Sequence, residues 1–395
     1  MAKRRHSGAR VAGRMEAIEP FHVMELLARA RSLEAEGRSI VHMEIGEPDF
    51  PTPRPVCEAG IRALEQGELF YTPALGLAAL RDKISGYYRT RHGIDVPPSR
   101  IVVTSGASGA LLLTIAVLVD PGREVLMADP GYPCNRHFVR LMEGEAVAVA
   151  VGPDSNYQLT PELVEQHWSR RTSAVLVATP ANPTGTLIAP DALGAMAKLA
   201  SARGGVLIVD EIYHGLTYDG DATTALALSD DVFVINSFSK YFNMTGWRLG
   251  WMVAPERYVR EIDKLSQNVY LSAPTPSQYA ALAAFGPATL KILEARRAEF
   301  KARRDYLVPA LRALGFDIPG MPQGAFYVYA GCSAFTPDSF AFAHELLEKA
   351  GVAITPGIDF GAHAAERHVR FAYTNSIERL KEGVARIERF LKRAA

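Results

Sequence analysis

The 395-residue sequence predicts an α/β fold in which a large domain holds a mostly parallel seven-stranded sheet between helices and a smaller domain is α+β. The first observation is an alternation of short β-rich runs with helical segments between residues 100 and 255, which is typical of a parallel sheet. The second is that these runs are apolar almost throughout, as in strands buried on both faces. The third is a change after Pro287, where long charged helical segments replace the alternation.

The elements follow in chain order. An amphipathic segment at residues 20–36 is predicted to pack on the smaller domain. The strands of the large sheet are predicted at residues 101–104, 124–128, 146–151, 174–178, 206–209, 232–235 and 249–253, with intervening helices that include 110–119 and 192–202. Beyond Pro287 we predict a helix at 290–314, a strand at 325–329, a helix at 339–350 and a strand near 369–372. The predicted organisation is a mobile arm at 1–13, an N-terminal segment of the small domain at 14–45, the large domain at 46–287 and the remaining small domain at 288–395.

Composition narrows the possible functions. Hydrophobic residues make up 48% of the chain, and 43 basic side chains balance 43 acidic ones, so no net charge favours nucleic acid or an anionic membrane. Cys57, Cys134 and Cys332 stand far apart and the histidines show no ligand spacing, which argues against a disulfide framework or a metal site. The longest apolar run, residues 110–119, is about half a membrane span. No apolar segment follows the basic residues 3–5, so the expected location is the cytoplasm.

The stretch SFSKYFNMTGWR at residues 237–248 carries the strongest chemical signal. Ser237, Ser239 and Arg248 can together hold a phosphate dianion, because the guanidinium fork is bidentate and the hydroxyls fill the remaining lone pairs. Lys240 beside them is placed to form a Schiff base with the carbonyl of a phosphorylated cofactor, for which pyridoxal phosphate is the candidate. A surface loop with a solvated lysine and a structural arginine is the alternative interpretation.

Polar residues also follow other predicted strands, and ligands of open parallel sheets bind outside the carboxyl ends of the strands. The run SGASG at 105–109 opens a helix whose N-terminus suits an anion, although such turns are also common packing devices. Asn182 can donate to a phenolate or carboxylate oxygen, or simply belong to a turn. Asp210 at a buried strand end needs a cation, such as a pyridinium nitrogen, unless it caps a helix. Tyr213 can then reach the neighbouring ring oxygen.

From about residue 18 to its last helix the chain resembles the class I aminotransferases of the fold-type I pyridoxal-phosphate superfamily, in particular the aspartate-aminotransferase-like branch. The phrases that carry the resemblance are IGEPDF at 45–50, YTPALGLAALR at 71–81, SGASGAL at 105–111, DPGYP at 129–133, ATPANPTG at 178–185, VDEIYHGL at 209–216, SFSKYFNMTGWRLGW at 237–251 and VRFAYTNS at 369–376. Their order and spacing imply the fold and cofactor of that family, pyridoxal 5′-phosphate.

The resemblance implies a role for each matching residue around the cofactor ring. Lys240 would form the internal aldimine and, once released, carry the proton between the substrate Cα and C4′. Asp210 would pair with the pyridine nitrogen and keep the ring protonated as an electron sink. Tyr213 and Asn182 would hydrogen-bond the phenolic oxygen, and Tyr132 would stack on the ring face.

The resemblance further implies how phosphate and substrate are held. The phosphate group would be bound by Gly106, Ala107, Ser108, Ser237, Ser239 and Arg248. Arg370 would bind the substrate α-carboxylate, helped by Asn182 and the backbone around Gly46. Tyr71 would reach the phosphate of the neighbouring subunit's cofactor, which implies a homodimer with shared active sites.

The expected reaction is ping-pong transfer of an amino group from an L-α-amino acid to a 2-oxo acid. A pyridoxal-phosphate-dependent carbon–sulfur β-lyase is the alternative, because the same electron sink can help to expel a β leaving group. A transcription regulator on this fold is not expected, since the family pattern begins by residue 18 and leaves no room for a DNA-binding domain before it.

The choice of substrate is less determined by the sequence. Ser108 stands where a lysine helps one bacterial group to recognise acidic side chains, which favours a neutral, branched or aromatic donor, with aspartate possible. By analogy, an apolar wall of the side-chain pocket is expected from Phe21, Tyr71, Tyr270 and Phe326. The acceptor would be 2-oxoglutarate or pyruvate.

Overall fold

The computed structural model describes residues 11–394, so most of the predicted arm at 1–13 lies outside the described residues. The helices are α1 (His22–Ala35), α2 (Arg54–Glu65), α3 (Ala78–His92), α4 (Gly106–Leu118), α5 (Pro133–Leu141), α6 (Pro161–His167), α7 (Pro190–Ala202), α8 (Glu256–Val269), α9 (Thr275–Ala281), α10 (Pro287–Ala313), α11 (Ser339–Glu345) and α12 (Ile377–Ala394). The strands are β1 (Val41–His42), β2 (Ile101–Thr104), β3 (Glu124–Asp129), β4 (Glu145–Ala150), β5 (Thr172–Ala178), β6 (Val206–Asp210), β7 (Val232–Ser237), β8 (Gly250–Val253), β9 (Tyr327–Gly331), β10 (Val352–Ala353), β11 (Thr355–Pro356) and β12 (His368–Ala372). Of these helices, none is both long and apolar enough to span a bilayer.

The predicted seven-stranded sheet is confirmed, with strand order β2-β8-β7-β6-β5-β3-β4. Its neighbours pair in parallel from β4 to β7, and β8 runs antiparallel to both β7 and β2. Alternate side chains of β6 enter two different apolar clusters, Leu207 and Val209 on one face and Val206 and Ile208 on the other. Because both faces are covered, the strand sequences are apolar throughout.

The parallel pairing places the carboxyl ends of three central strands at one edge of the sheet. Ala178 of β5 pairs with Asp210 of β6, which in turn pairs with Ile235 of β7. The polar residues that follow these strands therefore meet in space although they are far apart in sequence. The peptide bonds before Pro130, Pro180 and Pro183, which lie after β3 and β5, are cis.

The remaining strands form two small sheets. One is antiparallel with the order β11-β12-β9, and the other pairs β1 with β10 in parallel. The predicted helix at residues 339–350 is α-helical only to Glu345 and continues as a π-helical turn, Leu346–Ala350. Helix α1 contacts β10 and β11, so the N-terminal segment packs on these small sheets. Together these elements bring β9 and β12 to the edge of the large sheet where the polar residues meet.

Candidate active site

A cavity of about 300 Å³ lies at the carboxyl ends of β5, β6 and β7. Most of the sequence-predicted site residues line it: Gly46, Ala107, Ser108, Tyr132, Asn182, Asp210, Tyr213, Ser237, Ser239, Lys240, Arg248 and Arg370. Two predicted residues do not line it. Gly106 lies behind the wall, and Tyr71 projects from the surface with 81% of its area exposed.

One end of the cavity gathers groups that suit a phosphate. The N-terminus of α4 brings Ala107 and Ser108 to the wall, where a helix favours anions. The Ser237 hydroxyl, which accepts from the Ser239 N–H at 3.0 Å, and the Arg248 side chain also line the cavity. Arg248 forms no ion pair with the described residues.

Gly106 makes room for this arginine. Its φ of +74° suits glycine, and an added Cβ would lie 2.9 Å from Arg248 Nη2. Arg248 itself has a φ of +52°, and its Nη1 donates to the Thr245 carbonyl at 3.0 Å. The guanidinium is thus fixed close to the backbone that begins α4, with donors left over for an anionic ligand.

Lys240 follows β7 and reaches into the cavity. Its Nζ donates to the Gly46 carbonyl at 2.7 Å. Burial lowers the pKa of the Lys240 amine to about 8. The Glu47 carboxylate opposes this shift, whereas the guanidinium groups of Arg370 and Arg248 add to it. The result is an amine that loses its proton much more readily than a solvated lysine, as a nucleophile or general base requires.

Asp210 ends β6 and is 3% exposed. Its Oδ1 accepts from the Ile212 N–H at 3.1 Å, and no ion pair of the described residues includes it. Burial raises the pKa of its carboxyl to about 7. The charge of Lys240 opposes this shift but is outweighed by burial. A buried carboxyl with no ion-pair partner among residues 11–394 suits a ligand that brings its own positive charge.

Arg370 of β12 is buried beside the cavity. Its Nη1 donates to Asn182 Oδ1 at 2.9 Å and its Nη2 to Thr355 Oγ1 at 3.2 Å. The guanidinium lies between two aromatic rings, 4.4 Å from the centroid of Tyr327 and 4.8 Å from that of Phe360. Its Nε has no hydrogen-bond partner among residues 11–394, so the group retains capacity for a carboxylate.

The expectation for the apolar wall is only partly correct. Phe21 lines the cavity and packs edge-on to Tyr132 with 6.4 Å between ring centroids. Phe326 lies behind the wall, with its ring centroid 5.6 Å from Lys240 Nζ, while Tyr71 and Tyr270 lie outside the cavity of this chain. The reason is that Phe326, which directly precedes β9, packs into the aromatic core, and the segments carrying the two tyrosines stop short of the cavity.

Sequence reasoning missed Tyr327, whose hydroxyl lies 2.8 Å from that of Tyr213. The available signal was its position in a strand next to the strand of Arg370, since β9 pairs with β12. Other lining residues that were not predicted are Val23, Met24, Glu44, Ile45, Glu47, Leu111, Ala178, Ile212 and Thr245. Six of these nine residues stand inside the motifs quoted above without a role assigned to them, whereas Val23, Met24 and Glu44 lie outside every motif and only the fold brings them to the cavity.

Comparisons with known proteins give one consistent picture. The sequence profile of the family described as aminotransferase class I and II matches residues 38–387. The valine–pyruvate aminotransferase of Mycobacterium tuberculosis is 40% identical over 376 residues, covering 95% of this chain and 97% of that protein. The (5-formylfuran-3-yl)methyl phosphate transaminase of Methanocaldococcus jannaschii is 37% identical over 379 residues, covering 95% and 98%. A crystal structure of an aminotransferase from Mycobacterium tuberculosis has a TM-score of 0.94 at 39% identity and covers 98% of this chain and 100% of that one.

Proposed function

The chain belongs to the class I and II aminotransferase family, and from this premise we propose that it moves the amino group of an L-α-amino acid to a 2-oxo acid in a ping-pong reaction with pyridoxal 5′-phosphate. One observation carries the proposal. A single cavity combines an anion cradle, a buried carboxyl that forms no ion pair among residues 11–394 and a lysine whose pKa is lowered to about 8. These three groups of the protein match three parts of one cofactor, namely its phosphate, its pyridinium nitrogen and its aldehyde.

The residues fit that cofactor at both ends. Arg248, Ser237, Ser239, Ser108 and the first amides of α4 would hold the phosphate. Asp210 would meet the ring nitrogen, and this contact would supply the ion-pair partner that the buried carboxyl lacks among the described residues. Asn182 accepts from Arg370 through its oxygen, which leaves its amide N–H groups free to donate to the phenolic oxygen together with Tyr213.

Each residue near the substrate would do one physical task. When bound, the cofactor supplies a protonated ring that accepts the electron pair of the weakly acidic Cα–H bond. Lys240 Nζ would take that proton and return it, because near pH 8 it exists in both protonation states. Arg370 and Asn182 would hold the α-carboxylate and so orient the Cα–H bond, while Tyr132 would cover the ring and exclude water.

The side-chain pocket favours a neutral donor. The cationic side chains that line the cavity are Lys240, Arg248 and Arg370, and each already has a role. No cation of the described part of this chain is left in the cavity for a distal carboxylate. Apolar side chains that also line the cavity are Phe21, Val23, Met24 and Leu111. A branched or aromatic amino acid therefore suits the cavity of this chain better than aspartate does.

A single-turnover assay tests the function. The cofactor-loaded protein is mixed with one amino acid at a time and no 2-oxo acid, and the visible absorbance of the cofactor is followed. An aminotransferase consumes one equivalent of donor, releases its 2-oxo acid and stops until an acceptor is added. Continuous release of pyruvate and ammonia from cystathionine without an acceptor would identify the β-lyase instead.

We further propose that the enzyme is a homodimer. Large apolar side chains are exposed in two neighbouring segments and comprise Ile61, Leu64, Leu69, Phe70, Tyr71, Val269 and Leu271. The Thr275 hydroxyl donates to the Phe70 carbonyl at 2.7 Å, which ties the segment around Tyr71 to α9. An exposed apolar group of this size suits a contact with another protein surface, and an isologous contact would bring two copies of it together.

A further inference from the structure

Tyr327 connects three parts of the candidate active site. It is 1% exposed, and its hydroxyl lies 2.8 Å from the Tyr213 hydroxyl. Its ring face lies under the Arg370 guanidinium at 4.4 Å. A Cβ added at Gly46 would fall 2.0 Å from the Tyr327 hydroxyl, so the backbone that accepts from Lys240 Nζ packs directly on it.

The direction of the hydrogen bond between the two tyrosines follows from counting protons. Each hydroxyl has one proton to donate. If Tyr213 donates to the phenolic oxygen of the cofactor, as the proposed function requires, it has no proton left for Tyr327. The contact at 2.8 Å then requires Tyr327 to be the donor and Tyr213 the acceptor. The opposite direction would turn a Tyr213 lone pair toward an anionic oxygen.

We propose that Tyr327 is a positioning residue whose hydroxyl donates to Tyr213, so that the Tyr213 proton is directed to the cofactor's phenolic oxygen, and whose ring supports the guanidinium of Arg370. The inference rests on the proposed function but adds a residue outside the motifs that predicted the site. It links recognition of the cofactor to recognition of the substrate carboxylate through one side chain.

The hydroxyl has a measurable effect beyond packing. A hydroxyl that accepts a hydrogen bond becomes a stronger donor, so Tyr327 strengthens the bond from Tyr213 to the phenolic oxygen. When the phenolic oxygen anion is better stabilised, the bound cofactor loses its proton at a lower pH. The pH midpoint of the change in the cofactor's visible absorbance is therefore lowered. We expect Tyr327→Phe to raise that midpoint by about half a pH unit or less, and Tyr213→Phe to raise it further.

A pH titration of the cofactor-loaded protein tests the hydroxyl. Wild type, Tyr327→Phe, Tyr213→Phe and Tyr329→Phe are compared by visible absorbance. Tyr329 is the matched control, because it lies two residues along β9 and its buried hydroxyl has no partner among the described residues. We expect the midpoint to be the same in wild type and Tyr329→Phe, higher in Tyr327→Phe and highest in Tyr213→Phe. An unshifted or lowered midpoint in Tyr327→Phe overturns the proposal.

A second measurement isolates the ring. Tyr327→Leu removes the aromatic face under Arg370, whereas Tyr327→Phe keeps it. We expect Tyr327→Leu to raise the dissociation constant of an unreactive aliphatic monocarboxylate about three- to tenfold, with little change in Tyr327→Phe. Equal affinities in both variants contradict the role of the ring.

The two proposals fail in different ways. A wild-type protein that binds no pyridoxal phosphate overturns the proposed function and this inference together. A normal wild-type titration with no response in Tyr327→Phe overturns only the role of Tyr327. If Tyr327→Leu does not fold, the Tyr327→Phe titration still decides the question.

Discussion

Lys240 and Asp210 would carry opposite charges in one cavity, and burial shifts the pKa of each toward neutrality, to about 8 and about 7. Both groups therefore lie close to a change of protonation at physiological pH. In the proposed complex the ring nitrogen would favour the charged form of Asp210, and the released amine of Lys240 would serve as the base. The functions of these two residues can be separated by substitution.

Lys240→Ala should abolish amino transfer while the protein still binds pyridoxal phosphate non-covalently. The phosphate cradle and Asp210 do not depend on a bond to the lysine, so affinity should fall without vanishing. Absorbance and mass spectrometry after borohydride treatment measure the linkage. Lys264→Ala, at an exposed position on α8, serves as the control. A borohydride-stable attachment that persists in Lys240→Ala would show that another amine forms it.

Asp210→Asn should lower kcat by on the order of a thousandfold or more, because the ring nitrogen would lose its proton and the electron sink would weaken. The fold should be retained, since an amide of the same size can still accept from the Ile212 N–H. Steady-state kinetics alongside circular dichroism check both points. Asp95→Asn, on the surface, is the matched control. Near-normal turnover of Asp210→Asn would mean that another group protonates the ring.

At the scale of elements, the sequence predicts a strand most reliably where both faces of the strand are buried in the same kind of environment. The central strands β5 to β7 are buried on both faces, so their sequences are continuous apolar runs. The ends of such runs are easy to locate in the sequence, and the site residues that directly follow them are therefore predictable as well. Helix α4 begins at Gly106, four residues before the predicted start, because tertiary contacts override the low helix propensity of its glycines and serine. Tyr327 was missed because its contact with Tyr213 joins β9 to the turn that follows β6, and these segments lie 114 residues apart in sequence.

The contacts of His42, which connect β1 with α1, predict how the stability of the fold depends on pH. His42 Nδ1 lies 2.7 Å from Glu44 Oε1, and Nε2 lies 3.1 Å from Glu34 Oε1. The hydrogen bond to Glu44 raises the pKa of His42 to about 9, above the ordinary value of 6.5. A raised pKa stabilises the fold fully below pH 6.5, and this stabilisation is lost as the pH rises through 9.

His42→Gln should therefore remove part of the pH dependence. Between pH 6 and pH 9.5 the free energy of unfolding of the wild type should fall by roughly 1–3 kcal/mol more than that of the variant. Urea titrations at the two pH values measure the difference. His363→Gln, at an exposed position, should behave as the wild type does. Parallel pH profiles of wild type and His42→Gln would refute a charged His42.

At the scale of the whole molecule, the large sheet supplies the groups proposed for the cofactor, and β12 supplies the arginine proposed for the substrate. Both parts are needed to complete the cavity, because its lining residues come from the large sheet and from β12. The domain boundaries at 45/46 and 287/288 stay a prediction. Tyr71, unlike Gly106 behind the cavity wall, lies on the exposed apolar surface away from the cavity of its own chain. That position suits a residue that serves a second copy of the chain.

A mixing experiment tests this arrangement. Tyr71→Phe and Lys240→Ala each leave a homodimer with two defective sites if Tyr71 reaches across the interface. In a heterodimer one site would carry both defects and the other neither, because an isologous contact exchanges the two tyrosines symmetrically. Activity should therefore reappear when the two inactive proteins are dissociated, mixed and reassociated. The control mixes Lys240→Ala with Asp210→Asn. Each of these residues lines the cavity of its own chain, so each site of a heterodimer keeps one defect and no activity should return. If heterodimers form and no activity returns with Tyr71→Phe, then Tyr71 does not act in the partner's site.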